Sequence, residues 1–142
     1  MDLDAFVANE YPKVVAAVGM ITGNRQDAAG AVQDALAGFL AKPPARDITN
    51  VAAWITVVAS NRARGIRKAG VDAVPTDDDG VTSAIEKLPL QQRQVCVLHY
   101  LLDQSVETIA EGLGVSEGTI KTQLFRARKA LAAQLRREDH HG

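Results

Sequence analysis

SVETIAEGLGVSEGTIKTQLFRARKAL, residues 105–131, carries two helix starts and one tight turn, and its reading decides the fold. Ser105 and Ser116 each stand where a serine hydroxyl can accept from the free backbone N–H groups of a first helical turn. After Ser105, Val106, Ile109, Ala110 and Leu113 recur at the three- and four-residue steps of one helix face. Gly112 and Gly114 bracket the turn, where a backbone with φ > 0 is cheap only for glycine. After Ser116, Ile120, Leu124, Ala127 and Leu131 step by four, three and four, and so face inward. The opposite face shows Glu117, Gly118, Thr119, Lys121, Thr122, Gln123, Arg126 and Arg128. Ala110 is small where two helices must cross closely. The pattern predicts a helix-turn-helix, in which one helix braces and the second enters the DNA major groove. Thr119, Lys121, Thr122 and Gln123 are then the candidate contacts at or near base edges, and Arg126 and Arg128 the candidate phosphate contacts. The plainer alternative is a helical hairpin with a solvated basic face. The agreement of caps, turn glycines, small residue and exposed face weighs against it.

Working outward, apolar residues keep helical spacing through most of the chain. Val14, Val18 and Ile21 step by four and three; Pro12 suits the first turn of their helix, and Thr22-Gly23-Asn24 its stop. Val32, Ala35, Leu36, Phe39 and Leu40 mark the next helix. Past a proline-containing loop, Val51, Trp54, Ile55 and Val58 mark another, with Asp47, Thr49 and Asn50 as candidate caps. A short leading helix is expected from Leu3 to about Tyr11. Leu88-Pro89 divides a short helix from a longer one built on Val95, Leu98 and Leu102. No strand pattern and no internal repeat stands out. The expected fold is all-α: a helical unit over residues 1–68, a linker over 69–83, and a second helical unit over 84–137.

Charge supports that division. The chain carries a net charge of −1, whereas a nucleic-acid binder is ordinarily basic. Its distribution is more informative than its sum. Residues 71–88 hold five acidic groups against one basic, net −4, whereas residues 1–70 are net +2 and 89–142 net +1. The basic groups crowd at the C-terminal ends of the two flanking blocks.

Composition excludes several classes. One cysteine, Cys96, leaves no internal disulfide, and a reducing, cytoplasmic setting is expected. Its place between Val95 and Val97 predicts packing and not redox work. Trp54, at helical spacing with Val51 and Val58, is expected in the core and not as a wedge against DNA. No apolar run is long enough to span a bilayer, so no membrane insertion is expected. There is no glycine-rich phosphate loop, no paired metal-ligand spacing and no nucleophile near a histidine. Neither enzymatic activity nor a cofactor or metal is expected.

The longer stretch LPLQQRQVCVLHYLLDQSVETIAEGLGVSEGTIKTQLFRARKAL, residues 88–131, resembles region 4 of the extracytoplasmic-function sigma factors of bacterial RNA polymerase. The preceding AIEKLPLQQRQV separates this resemblance from other helix-turn-helix modules. More weakly, YPKVVAAVGMITGNRQDAAGAVQDALAGFLAK and NVAAWITVVASNRARGIRK resemble region 2 in layout. The resemblance implies an alternative sigma factor: region 2 holds the core polymerase clamp and opens the downstream promoter element, and region 4 binds the upstream element. It implies Asn61, Arg62, Arg64, Arg67 and Lys68 as downstream DNA contacts, and Gln33 and Asp34 as polymerase contacts. Asp77, Asp78 and Asp79 would mimic nucleic-acid charge in the polymerase RNA channel. Core RNA polymerase, promoter DNA and an anti-sigma factor are the implied partners. The first block departs from the family pattern: Ala29 and Gly30 stand where two acidic residues are usual, Thr49, Asn50 and Val51 where a loop aromatic is usual, and Gly65 where an acid is frequent. Those departures keep open a second reading, a sigma-like interaction factor that binds polymerase or a regulator without initiating alone.

Overall fold

The computed structural model describes residues 2–45, 48–68 and 80–141, with the backbone path alone for residues 64–68, 82 and 137–141. Asp47, the acidic Asp77, Asp78 and Asp79, and most of the expected linker lie outside them. Eight helices and no strand occur among the described residues: α1 Leu3–Asn9, α2 Tyr11–Thr22, α3 Arg25–Ala41, α4 Val51–Lys68, α5 Gly80–Glu86, α6 Leu90–Tyr100, α7 Val106–Leu113 and α8 Glu117–His141.

Local chemistry sets the boundaries. The Asp2 carboxylate accepts from the Ala5 N–H and starts α1. That helix ends at Asn9, two residues short of Tyr11, which opens α2 with Pro12 in its first turn. Gly23 closes α2 at φ 70°, a left-handed conformation that costs an L side chain about 1–2 kcal/mol. Asn24 then caps α3 by accepting from the Asp27 N–H, while its own amide donates to the Asp27 carboxylate at 2.7 Å. The Asn50 side chain accepts from the Ala53 N–H at 2.9 Å and sets the start of α4.

Helices α2, α3 and α4 bury Val14, Val18, Val32, Ala35, Ile55 and Ala59 against one another, and α1 adds Phe6. Trp54 is half-buried beside this core and meets Phe39 with ring centroids 5.3 Å apart, as its spacing predicts. Helices α6, α7 and α8 bury Val95, Leu98, Ile109, Ala110, Ile120 and Leu124 together.

The two groups of helices also pack on each other. Ala53 and Val57 of α4 belong to the same cluster as Leu98 and Ile109, and Ala17 and Ile21 of α2 pack with Ile85 and Val97. α4 is therefore buried on two faces. Its inner positions Ala52, Ile55 and Ala59 serve the first core, and Ala53 and Val57 serve the seam.

Candidate nucleic-acid interface

α8 is held by its cap, its turn and its buried face. The Ser105 hydroxyl accepts from the Thr108 N–H and starts α7; the Ser116 hydroxyl accepts from the Thr119 N–H and starts α8, both at 3.1 Å. Gly114 ends α7 at φ 71°. Gly112 does not share that role. It lies inside α7 with an ordinary helical backbone, and a Cβ there would sit 3.8 Å from the Ala53 methyl. Its small size serves the packing of α7 on α4, not the turn. Ile120, Leu124 and Ala127 are buried, which fixes the opposite face of α8 outward.

On that outward face, Ser116, Gly118, Thr119, Thr122, Gln123 and Arg126 line one open concavity at the start of α8. Four of the six residues expected to meet the upstream element are thus brought together. Lys121 is exposed beside them. Gln123 is half-buried, and its amide donates to the Gln91 Oε1 of α6 at 2.7 Å. Arg128 is exposed, and its Nε donates to the Tyr100 hydroxyl while the guanidinium stands 5.7 Å from the Tyr100 ring centroid. Sequence reasoning did not foresee Phe125, which is 65% exposed between Gln123 and Arg126 on a helix otherwise sparing of exposed aromatics. Its signal was available, since Phe125 falls off the Ile120–Leu124–Ala127 stripe.

The residues expected to meet the downstream element and polymerase fall on α3 and α4. Asp34 and Arg62 line a shared groove with Asn24, Asp27, Gly30 and Ala63. Gln33 donates to the Tyr11 hydroxyl at 3.1 Å. Asn61 is exposed on α4, and its Oδ1 accepts from Gln94 at 2.9 Å. Arg64, Arg67 and Lys68 lie on the last turns of α4, with their side chains outside the described residues.

Four polar residues join the two groups of helices. Gln94, only 2% exposed, donates from one amide to both the Ser60 hydroxyl and the Asn61 carbonyl at 2.9 Å. Arg93 donates to the Ile21 carbonyl at 2.6 Å. The Glu111 carboxylate accepts from the Thr49 N–H at 3.0 Å and from its hydroxyl at 2.8 Å. The Gln104 Oε1 accepts from the Asn50 amide at 2.8 Å, and the Gln104 carbonyl is held by the His99 Nδ1–H. His99 is therefore a turn-fixing residue. Among the described residues, no group of three or more His, Cys, Asp or Glu is arranged to hold a metal ion, and no helix is long and apolar enough to cross a membrane.

Residues 79–131 match the family model of sigma-70, region 4. This part of the chain is similar to sigma-70 region 4. The RNA polymerase sigma factor SigV of Bacillus subtilis (strain 168) is 36% identical over 62 residues, 44% of this chain and 37% of that protein. The ECF RNA polymerase sigma factor SigW of the same organism is 43% identical over 56 residues, 39% of this chain and 30% of that protein. The alignments span about a third of each relative's length. The fold extends the likeness beyond region 4. The sigma factor RpoE of Bartonella quintana, solved in complex with the anti-sigma factor NepR, superposes with a TM-score of 0.71. That match covers 95% of this chain and 97% of RpoE at 23% identity, and shows a shared all-α fold.

Proposed function

We propose that this chain is a bacterial alternative sigma factor of the extracytoplasmic-function type, which binds core RNA polymerase and directs it to promoters. It makes no covalent change itself. The observation that carries the reading is region 4, whose α8 turns an open concavity of Thr119, Thr122, Gln123 and Arg126 outward from a buried face. A concavity lined by hydroxyl, amide and guanidinium groups at the start of a helix suits base edges and phosphates in a major groove.

In this reading residues 84–137 read the upstream element, residues 1–68 meet the polymerase clamp and the downstream element, and residues 69–83 connect them. Thr119, Lys121, Thr122 and Gln123 contact bases or their margins, and Arg126 and Arg128 contact phosphates. Gln123 and Arg128 exchange Gln91 and Tyr100 for DNA in doing so. Asn61, Arg62, Arg64, Arg67 and Lys68 serve the downstream element, and Gln33 and Asp34 the clamp. The chain acts where polymerase is, in the cytoplasm. An anti-sigma partner holds it inactive; the similarly folded RpoE was solved in complex with an anti-sigma factor, NepR. The near-neutral charge makes DNA binding by the free chain weak, so recognition belongs to the holoenzyme.

The test is selection of duplex DNA from a random pool by holoenzyme assembled with this chain. Arg126→Ala is expected to weaken binding to the selected upstream element across all sequences and to lower the salt dependence by about one unit of slope, with folding unchanged. Thr122→Ala is expected to change sequence preference more than overall affinity. Unchanged promoter affinity in a folded Arg126→Ala chain contradicts the assigned register of α8.

A further inference from the structure

We propose that Gln91, on α6 and outside the outward face of α8, is a specificity-determining residue: it competes with an adenine base edge for the side-chain amide of Gln123. The proposal rests on the sigma-factor reading above and names the base that one of its assigned contacts reads. Gln91 lies in the first turn of α6 and Gln123 in the second turn of α8, 32 residues apart along the chain. The Gln123 amide N–H donates to the Gln91 Oε1 at 2.7 Å, which holds the half-buried side chain against α6. The other half of the same amide is not provided for. The Gln123 Oε1 is shut from solvent and meets no donor among the described residues. A buried acceptor without a donor is costly. The retracted position of Gln123 is therefore held by one bond and opposed by one unmet group.

The surroundings decide what would satisfy both halves. Of the residues lining the concavity at the start of α8, Ser116 and Thr119 have their hydroxyls engaged with each other at the cap, 3.0 Å apart. Arg126 only donates, and Thr122 offers a single hydroxyl. Gln123 alone among the lining residues carries a separate donor and acceptor side by side in one plane. In the major groove adenine presents the matching pair, the N6 amino group as donor and N7 as acceptor. Guanine offers two acceptors and thymine one, and neither serves Oε1; cytosine offers a donor alone. Gln123 reaches the groove by changing side-chain torsions, which step between staggered wells without moving the backbone. At adenine it exchanges the single bond to Gln91 for two bonds to the base edge, and its Oε1 gains a donor. At another base it falls back on Gln91, which lowers the cost of the mismatch. Gln91 thus blunts a preference that Gln123 creates.

The test uses holoenzyme assembled with the full-length chain and duplexes carrying the upstream element selected from a random pool, with each base pair replaced in turn. Circular dichroism and thermal melts first establish that each variant is folded. The readout is the ratio of affinities for adenine and non-adenine duplexes at one base pair, which a uniform loss of binding does not move. Gln123→Ala is expected to flatten that ratio. Gln91→Ala removes the competitor and the fallback together, and is expected to sharpen it about fivefold, the change that one hydrogen bond gives. Gln91→Glu keeps an acceptor and charges it, so it holds Gln123 more firmly and is expected to blunt the ratio. The Gln91→Ala, Gln123→Ala double variant is expected to match Gln123→Ala alone, because Gln91 acts only through Gln123. Four results each overturn the inference and leave the functional reading standing: a Gln123→Ala chain that keeps every preference, a Gln123-dependent preference for a base other than adenine, a Gln91→Ala ratio equal to or below that of the wild type, or a Gln91 effect that persists without Gln123. Holoenzyme that selects no element at all refutes the functional reading, and the inference with it.

Discussion

Gln94 is a demanding residue on which to test the packing of the two helical groups. It sits on α6 at 2% exposure and spends one amide N on two acceptors in α4, the Ser60 hydroxyl and the Asn61 carbonyl. The Ser60 hydroxyl in turn donates to the Val57 carbonyl, so its lone pair is what Gln94 uses. Gln94→Ala removes both bonds and leaves a void among polar groups. At roughly 1 kcal/mol for each bond plus the void, the cost is about 2–3 kcal/mol. For a chain of this size that lowers the melting temperature by roughly 5–10 °C. Gln94→Glu places an acceptor where a donor is needed. Burial disfavours the charged form, so the introduced carboxyl titrates higher in the folded chain than its unfolded value of about 4.3. The folded chain then binds more protons above that pH, and stability falls as pH rises. Between about pH 5 and pH 7 the variant is expected to lose a further ~1–2 kcal/mol relative to the wild type. Thermal and urea melts followed by circular dichroism at both pH values give the result. A Gln94→Ala chain within about 0.5 kcal/mol of wild type, or a pH-independent Gln94→Glu penalty, refutes Gln94 as a buried donor between the groups.

Gly30→Ala is expected to stabilise the chain by roughly 0.5–1 kcal/mol in the same melts, because Gly30 lies inside α3 and a Cβ there meets nothing within 4 Å. Cys96 is buried, and burial pushes its thiol pKa up, with the Arg128 guanidinium pulling part of the way back. Its reaction with an aromatic disulfide reagent at neutral pH is expected to be at least about tenfold slower in the native chain than in urea.

The stretch 105–131 was legible because each of its signals is local. Caps at Ser105 and Ser116, a left-handed glycine at 114 and a stripe through Ile120, Leu124 and Ala127 all act within a few residues of one another. The same holds for Gly23, for the Asn50 cap and for Trp54 in the first core. Gly112 was misread for the opposite reason, since its neighbour Ala53 lies far away along the chain. The bridging residues share that difficulty. Glu111 and Gln104 look like ordinary solvated positions, and their partners Thr49 and Asn50 lie more than fifty residues upstream. Two signals did exist. Gln94 lies four residues before buried Leu98 and three before buried Val97, which places it on the inner side of α6. α4 is apolar or small almost all round from Ala52 to Ala59, the mark of a helix covered on more than one side.

The measurement that bears most directly on the account is run-off transcription with core RNA polymerase, this chain as the only sigma factor, and a library of genomic promoter fragments. The account predicts discrete transcripts whose templates share an upstream motif, lost with Arg126→Ala. Absence of any transcript, with the folded chain present in excess over active core polymerase, would contradict it.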